Sequence, residues 1–421
     1  MSTYLNRISD KKLELLLKSV GAVLIEGPKW CGKTRSAERI AKSALYMQNP
    51  DNSKANIAIA QTKPSLLLEG KTPRLLDEWQ VAPELWNAVR FAVDKRQARG
   101  QFILTGSVIP ERTDDMHTGT GRIARMKMRT MSLYESGNST GEISLEALFN
   151  REFDISGRSE LSIEQIAFLI NRGGWPEVAQ EKNEKVALTV ANSYLEAIAN
   201  EDISKVDGIE KNQDRVKALM RSLSRNITCE ARTTTIMNDL KANDEALSQV
   251  TVDLYINALK RIFVIDDLPA WSAKLRSRTA IRTTSKRHFS DPSIAATSLR
   301  ATPKRLLTDF NTFGFLFEAL CIRDLRVYSE SIDGNVYHYR DKSNLEIDAI
   351  IQLEDGRWGA VEVKMGAGQI ANASENLLKL KRIIDADEMN EPSFLMVLTG
   401  TEYAFQMKNG IWVVPIGCLK N

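Results

Sequence analysis

The sequence has few of the residues that build metal centres or disulfide frameworks. Its 421 residues include only three histidines, which lie far apart, and four cysteines without a C-x-x-C pair. The cysteines are Cys31, Cys229, Cys321 and Cys418. This scatter argues against a zinc site, a disulfide framework and a histidine-based metal cluster, and it suits a reducing compartment.

Long apolar runs, repeats and a strong net charge are also absent. No run approaches the ~20 apolar residues of a membrane-spanning helix, and the start, MSTYLNRISDKKLELLL, lacks the apolar segment of a signal peptide. We therefore expect a cytoplasmic protein without a membrane partner. The net charge is +3, so any affinity for nucleic acid must come from a local basic patch. The length predicts two or three globular domains.

One glycine-containing stretch predicts a phosphate-binding loop. Gly27, Gly32, Lys33 and Thr34 fit the pattern G-x-x-x-x-G-K-[ST]. The apolar run Ala22 to Ile25 before it predicts a buried strand, and Arg35 to Ala44 predicts a helix whose N-terminus faces the phosphate. A chance match in a turn is the alternative. The predicted nucleotide contacts are Gly27, Pro28, Lys29, Trp30, Cys31, Gly32, Lys33, Thr34 and Arg35.

Two later strands end in polar residues that suit the same site. Arg74 to Asp77 is followed by Glu78, and in a phosphate-loop enzyme this is the Walker B position. Asp77, with the Thr34 hydroxyl, would then hold Mg²⁺, and Glu78 would act as general base toward water. The strand at 101–107 ends in Thr105 and Ser107, which would sense the γ-phosphate or hold the water, unless they form only a turn.

A glycine- and arginine-containing loop at 117–125 offers an arginine finger. Arg122 is the candidate, inserted in trans at a subunit interface, and Arg125 is its rival. The alternative is an arginine paired with a carboxylate of its own subunit. A strand is predicted at Met126 to Met131. Alternating strands and helices make residues 1–150 an α/β domain of αβα type with a parallel sheet.

The motifs together resemble a family of bacterial and archaeal AAA+-type P-loop ATPases with a C-terminal domain of unknown function. The similarity begins with GAVLIEGPKWCGKT, LLDEWQ, FILTGS and TGTGRIARMKMRTMSLYE. It continues in RGGWPE, YLEAIANEDI, HFSDPSIAA and FGFLFEALCIRDL, so it spans nearly the whole chain. The resemblance implies ATP binding and an expectation of hydrolysis. Because AAA+-type domains usually work as rings, a homo-oligomer is also expected.

The middle of the chain predicts a helical lid or linker at 151–210 and a winged-helix-like domain at 211–300. Helices are predicted at Asp214 to Asn226, Thr234 to Leu240 and Ser248 to Lys260, followed by strands at Phe263 to Ile265 and Ala280 to Arg282. In this plan the third helix recognises DNA. The basic residues nearby are Lys274, Arg276, Arg278, Arg282, Lys286 and Arg287. They would neutralise phosphates, or the domain contacts protein instead.

Residues 301–421 predict a mixed α/β, restriction-endonuclease-like domain. Asp348, then Glu362-x-Lys364, has the spacing of the PD-(D/E)XK nuclease core. Asp348, Glu362 and Glu318 from the preceding helix would bind Mg²⁺, and Lys364 would position or deprotonate water. The alternative is an inactive fold whose charges pair as Glu362–Lys364 and Asp348–Lys364.

Two functions follow. The first is an Mg²⁺-dependent ATPase coupled to a nuclease-like module directed at DNA, with cleavage itself undecided. The second is an ATP-driven conformational switch or assembly scaffold with a catalytically inactive C-terminal domain. The Asp348, Glu362 and Lys364 set favours the first function, and the modest net charge favours the second.

Overall fold

The computed structural model describes residues 4–110, 118–152, 156–206, 211–241, 248–272, 284–384 and 389–421. They divide into two units. The first contains Met1–Thr130, Asp202–Glu210 and Asn257–Val264, and the second contains Met131–Glu201, Lys211–Ile256 and Ile265–Asn421. Two segments from the middle of the chain therefore belong with the N-terminal residues, and the four predicted domains stay a prediction.

The first unit is built on a parallel five-stranded sheet. Its strands are β1 (Ala22–Glu26), β2 (Ser43–Tyr46), β3 (Arg74–Asp77), β4 (Phe102–Gly106) and β5 (Ile123–Lys127). They lie in the order β2-β3-β4-β1-β5, and all neighbouring strands are parallel. The α/β class and the parallel N-terminal sheet are thus confirmed. The carboxyl ends of β1, β3 and β4 meet at one edge.

Helices cover this sheet on both faces. They are α1 (Ser9–Ser19), α2 (Lys33–Ile40), α3 (Ser53–Thr62) and α4 (Glu84–Arg96). Short 3₁₀ helices span Pro64–Leu68 and Trp79–Val81; Pro64 begins its own helix because proline cannot continue α3. In β1, Ala22 and Leu24 pack into one core while Val23 and Ile25 pack into the other. This alternation explains why the strand is apolar throughout.

Two predicted boundaries in this unit are wrong. The last strand begins at Ile123, not at Met126, because Ile123 to Lys127 pairs in register with Ala22 to Glu26. The helix after the loop begins at Lys33 and ends at Ile40, since the next residues turn into β2. Consequently Arg125 lies inside a strand rather than in a loop.

The second unit begins with helices and a small parallel pair of strands. Its helices up to the C-terminal region are α5 (Leu145–Phe149), α6 (Ile163–Arg172), α7 (Glu184–Ala197), α8 (Gln213–Arg225), α9 (Thr233–Lys241) and α10 (Gln249–Arg261). The last residues of α10 belong to the first unit. Strand β6 (Ile143–Ser144) pairs with the C-terminal strand β14 (Leu419–Lys420).

The predicted winged helix is not confirmed. Its three helices correspond to α8, α9 and α10, but its second strand, at 280–282, lies outside the described residues, as do Lys274, Arg276, Arg278 and Arg282. Within the part of the chain that the structure describes, Phe263 to Ile265 do not form a strand. Instead, single antiparallel bridges join Ile265 to Phe289 and Leu268 to Lys286. The ribbon partner described here is therefore 286–289, and the winged helix stays a prediction.

A mixed seven-stranded sheet forms the C-terminal part of the second unit. The strands are β7 (Gly157–Arg158), β8 (Gly334–Arg340), β9 (Glu346–Leu353), β10 (Trp358–Lys364), β11 (Phe394–Thr399), β12 (Tyr403–Gln406) and β13 (Trp412–Pro415). Their order is β7-β12-β13-β11-β10-β9-β8. Strands β8, β9 and β10 pair antiparallel, whereas β10, β11 and β13 are parallel.

Four more helices accompany this sheet. They are α11 (Pro292–Ser298), α12 (Pro303–Leu306), α13 (Phe310–Glu330) and α14 (Ile370–Ile383). Helix α14 packs on the sheet core through Ala373, Leu377 and Leu380. Across the described parts of both units, no helix is long and apolar enough to cross a membrane.

Candidate functional site

The predicted phosphate-binding loop joins β1 to α2 at the carboxyl edge of the first sheet. Its backbone requires glycine at two places. A Cβ on Gly27 would lie 2.1 Å from the Met128 carbonyl oxygen, and Gly32 has a φ of +101°, which disfavours other residues. Trp30 also has a positive φ, +65°. The loop therefore curls tightly in front of the N-terminus of α2.

Lys33 and Thr34, at the start of α2, place their side chains at this loop. Lys33 is buried, and its Nζ donates to the carbonyl oxygens of Gly27 at 2.9 Å and Pro28 at 2.8 Å. The Thr34 hydroxyl donates to Asp77 Oδ1 at 2.7 Å. The loop of β1 is thereby joined to the end of β3, as a shared site for phosphate and metal requires.

The loop backbone is anchored by side chains that face away from the predicted ligand. Arg7 Nη1 donates to the Cys31 carbonyl oxygen at 2.6 Å, and Cys31 Sγ donates to the Met128 carbonyl at 3.6 Å. Cys31 is fully buried in the core below the sheet edge, so only its backbone can meet a phosphate. Sequence reasoning missed Arg7 because nothing near the motif points to a residue twenty positions earlier.

Asp77, at the end of β3, accepts two hydrogen bonds. One comes from Thr34, and the other from the Thr105 hydroxyl at 2.6 Å. Thr105 belongs to β4, which lies between β3 and β1. The structure thus brings Thr34, Asp77 and Thr105 together. The Thr105 hydroxyl donates to the Asp77 carboxylate and does not point to a separate phosphate position.

Glu78 takes the left-handed backbone conformation, with φ +54°. Its N–H donates to Thr105 Oγ1 at 3.3 Å. Its carboxylate Oε2 accepts from the Ser107 hydroxyl at 3.0 Å and from the Gln80 side-chain amide. Strained non-glycine conformations are concentrated at functional sites. Sequence reasoning missed Gln80, although its position two residues after Glu78 was available as a signal.

Three other predicted contacts lie around the loop. Lys29 forms an ion pair with Asp202, and Trp30 is about half exposed, at 51%. The Arg35 side chain is mostly exposed and lies 3.6 Å from Glu38 on the surface of α2. Arg35 therefore faces along its own helix in this state, not into the loop.

Both finger candidates are engaged by carboxylates of the first unit. The Arg122 carbonyl accepts the Ala22 N–H at 3.0 Å, which places Arg122 at the amino edge of the parallel strands, opposite the loop. Its Nε donates to Asp94 at 2.8 Å. Arg125 pairs with Glu26 at 2.5 Å. Both arginines make the pairing within the subunit that was the alternative to a finger.

In the second unit, β9, β10 and α13 bring together the predicted carboxylates and lysine. Lys364 Nζ lies 2.7 Å from Glu362 Oε2 and 3.2 Å from Asp348 Oδ2. Asp348 Oδ2 also accepts the Val363 N–H at 2.8 Å. Glu318, from α13, belongs to the same cluster. The contacts of Lys364 are those of the alternative in which the charges pair with each other.

Burial perturbs the acids of this cluster. Burial, and then the charge of Asp348, raise the pKa of Glu362 to about 8. The same causes raise the pKa of Glu318 to about 7. Burial also acts to raise the pKa of Asp348, but the charges of Lys286 and Lys364, with hydrogen bonds from Val363 and Glu362, hold that pKa below its ordinary value. Asp348 is therefore the most readily ionised acid of the cluster, and Glu318 and Glu362 retain their protons to higher pH.

The position of Lys286 differs most from what the sequence predicted. It was expected to contact nucleic-acid phosphates, but its side chain is only 2% exposed. Its Nζ lies 3.0 Å from Glu318 Oε1, 2.8 Å from Glu346 Oε1 and 3.7 Å from Asp348 Oδ1. Backbone pairing with Leu268 turns this side chain inward. Arg287 is also engaged, with Asp267 at 2.8 Å.

The predicted Mg²⁺ ligands of the C-terminal domain do not fit a metal in this arrangement. Glu318, Asp348 and Glu362 surround the ammonium groups of Lys286 and Lys364. Among the described residues, no three His, Cys, Asp or Glu side chains are arranged to hold a metal ion. The physical reason is that the buried Lys286 and the partly exposed Lys364 already neutralise these carboxylates.

Three segments of the chain match models of known protein families. Residues 19–137 match the model of an AAA domain, and residues 163–305 and 313–419 match two different domains of unknown function. Uncharacterised proteins of Mycobacterium bovis and Mycobacterium tuberculosis are each 20% identical over 364 residues, which cover 85% of this chain and 73% of each relative.

Two solved structures also align. A Walker-type ATPase of Pyrococcus abyssi is 14% identical, covers 70% of this chain and 96% of its own, and has a TM-score of 0.40. A DNA replication initiation factor is 13% identical, covers 61% and 92%, and has a TM-score of 0.29. Neither likeness is close enough to show a shared function. Residues 19–137 form an AAA-type P-loop domain, and two regions of unknown function follow it along the chain.

Proposed function

We propose that the AAA-type domain binds ATP with Mg²⁺ and hydrolyses the ATP. The observation that supports this most is the hydrogen bond from Thr34 to Asp77, which links the phosphate-binding loop to the end of β3. The two oxygens are 2.7 Å apart, close to the spacing of about 3 Å between neighbouring ligands of an octahedral Mg²⁺. The residues present therefore suit the ion.

Lys33 and the loop would bind the phosphates. The N-terminus of α2 and the curled backbone offer N–H donors to an anion. Lys33 Nζ, now on the carbonyls of Gly27 and Pro28, would move to the β- and γ-phosphates. Thr34 and Asp77 would hold Mg²⁺, which supplies positive charge at those phosphates.

Glu78 is proposed as the general base. It would accept the proton of the water that attacks the γ-phosphorus. Ser107 and Gln80 orient its carboxylate, while Thr105 orients Asp77. In this proposal Thr105 and Ser107 orient Asp77 and Glu78. They do not themselves make the contact with the γ-phosphate or the water that the sequence predicted.

The test of ATP hydrolysis is the Lys33→Ala protein. Phosphate release should fall by ~10²-fold or more, because a preorganised positive charge at the transferred phosphoryl group is lost. Lys54→Ala, on the exposed surface of α3, is the matched control and should retain activity. Unchanged hydrolysis by a folded Lys33→Ala protein would contradict the assignment of the phosphate-binding loop.

We also propose that hydrolysis requires a neighbouring subunit. Arg122 lies at the amino edge of the sheet and about half of its side chain is exposed, so it can serve only a nucleotide bound by another copy. Arg125 remains its rival. Mixing Arg122→Ala with Lys33→Ala subunits should restore part of the hydrolysis if the finger acts in trans; no recovery at any ratio argues against it.

For the C-terminal domain we propose a nuclease-like fold directed at nucleic acid. The order α13, β8, β9, β10, α14 and β11, with Asp348, Glu362 and Lys364 on β9 and β10, supports it. DNA is the proposed partner, and Lys274, Arg276, Arg278 and Arg282 are candidate phosphate contacts outside the described residues. If they bind phosphates, affinity for DNA should fall steeply as the salt concentration rises.

The pairing of Asp348 and Glu362 with lysines favours the second candidate function, in which ATP drives a conformational switch and this domain does not cleave. We expect no nicking of plasmid DNA that depends on Asp348, with Mg²⁺ or Mn²⁺ and with or without ATP. Nicking by wild type that disappears in Asp348→Ala would contradict this and establish an endonuclease.

A further inference from the structure

A nuclease-like fold implies a divalent cation held by the carboxylates of β9, β10 and the preceding helix. The cations seen at those carboxylates are two ammonium groups of the chain itself, those of Lys286 and Lys364. Lys286 comes from a segment outside the nuclease-like core, between α10 and α11. The question is therefore what this lysine does to metal binding.

The contacts place Lys286 Nζ at the centre of a three-carboxylate group. Glu318 comes from α13, and Glu346 and Asp348 come from β9, at distances of 3.0, 2.8 and 3.7 Å. These are charge-assisted contacts from two different elements. The backbone of Lys286 is held in place, since it exchanges hydrogen bonds with Leu268 at 3.0 and 2.9 Å.

Because the site is buried, the Lys286 ammonium and the carboxylates around it stabilise each other. A buried, unpaired ammonium is costly, and so are buried carboxylates without a cation. The side chain of Lys286 is 2% exposed, those of Glu318 and Asp348 are 14% and 10% exposed, and that of Glu346 is 40% exposed. Lys286 is therefore the cation that Glu318, Glu346 and Asp348 share, whereas Lys364 pairs with Asp348 and Glu362.

A metal ion and the ammonium would compete for the same oxygens. An oxygen bound to Mg²⁺ at about 2.1 Å and to Nζ at 3.0 Å keeps the two cations at most about 5 Å apart. Their repulsion in a buried site is large. Binding of a metal would therefore require Lys286 to leave.

We infer that Lys286 takes the place of the divalent cation in the C-terminal domain, so that the carboxylate cluster binds no metal while Lys286 is present. The inference rests on the proposed nuclease-like fold, and it names the residue that keeps this site from metal chemistry. It also gives the cation class that would replace the lysine: a hard divalent ion such as Mg²⁺ or Mn²⁺.

The test is the stoichiometry of Mn²⁺ bound to the full-length, nucleotide-free chain, measured by electron paramagnetic resonance. Wild type and Asp348→Asn should bind the same amount of Mn²⁺. Lys286→Met should bind about one more ion per chain, and Lys286→Met/Asp348→Asn should lose it. Lys304→Met, an exposed position on α12, is the matched control and should gain none.

Two results would overturn the inference. One is a wild-type Mn²⁺ site that Asp348→Asn removes, and the other is a Lys286→Met protein that is folded by circular dichroism but gains no ion. If Lys286→Met does not fold, Lys286→Gln, which also removes the charge, takes its place in the comparison. If Lys286→Met gains Mn²⁺ but does not cut DNA, the inference about Lys286 holds and the proposal of DNA cleavage fails. The failure of one is therefore distinguishable from the failure of the other.

Discussion

Lys29 of the phosphate-binding loop forms an ion pair with Asp202, which follows it by 173 residues. Both residues belong to the first unit. Asp202 is the last residue of a five-residue π-helix, Ile198–Asp202, and single π-turns are frequent at functional sites. A carboxylate thus lies beside the loop that is proposed to bind phosphate. If the loop binds phosphate as proposed, either the phosphate charge comes near Asp202 or Lys29 moves away from Asp202.

The first prediction is that Asp202→Asn binds ATP more tightly. The change removes a negative charge near the phosphates and releases Lys29. We expect the dissociation constant to fall by about fivefold, which corresponds to about 1 kcal/mol, as measured by isothermal titration calorimetry. Glu14→Gln, on the exposed surface of α1, is the control and should leave affinity unchanged. Equal affinities for Asp202→Asn and wild type would show that the ion pair has no effect on the nucleotide.

The second prediction concerns Thr105, whose hydroxyl donates to Asp77 and accepts from the Glu78 N–H. Thr105→Val keeps the shape but leaves both groups without this partner. A lost hydrogen bond to a charged group costs about 1.5–3 kcal/mol, so kcat should fall at least tenfold. Thr105→Ser, which keeps the hydroxyl, should stay near wild type. Steady-state ATPase assays that find equal kcat for Thr105→Val and wild type would contradict the role.

Local patterns made the nucleotide site predictable. The glycines and the residues at the ends of β1, β3 and β4 follow from short motifs, because parallel strands place their carboxyl ends together. Lys286 was not predictable in this way. Its neighbours in sequence are basic, so the pattern indicated a phosphate-binding surface. Its burial depends on pairing with Leu268 and on Glu318, whose distance along the chain the sequence does not reveal.

The third prediction is a pH effect on stability from Glu318 and Glu362. Their pKa values rise from the ordinary value of 4.5 to about 7 and about 8. Between pH 4.5 and 8 the folded state therefore binds more protons than the unfolded state, so stability should fall as pH rises through 7 to 8. Glu362→Gln cannot ionise, and its melting temperature should fall less than that of wild type between pH 5.5 and 8.5.

Thermal denaturation followed by circular dichroism at several pH values measures this difference. Glu354→Gln, at an exposed turn between β9 and β10, is the control and should follow the wild-type curve. The prediction fails if Glu362→Gln loses as much stability as wild type over the same range.

The fourth prediction concerns the buried pair Arg323 and Asp291. Arg323 Nη1 lies 3.2 Å from Asp291 Oδ2, and their side chains are 3% and 0% exposed. The same oxygen accepts the Gly174 N–H at 2.9 Å, and Arg323 also pairs with Asp324. Residues from RGGWPE, HFSDPSIAA and FGFLFEALCIRDL therefore meet in one buried network. These segments have a structural role here, joining α13 to the chain before α11 and after α6.

Removal of one partner leaves a buried charge unpaired, which costs about 3–5 kcal/mol. Arg323→Met should lower the free energy of unfolding of the second unit by that amount, measured by urea denaturation. Arg305→Met, with an exposed side chain on α12, should change it little. The double variant Arg323→Met/Asp291→Asn removes both charges, so it should lose less than the sum of the single variants. Strict additivity would mean that the two residues do not interact, despite their contact.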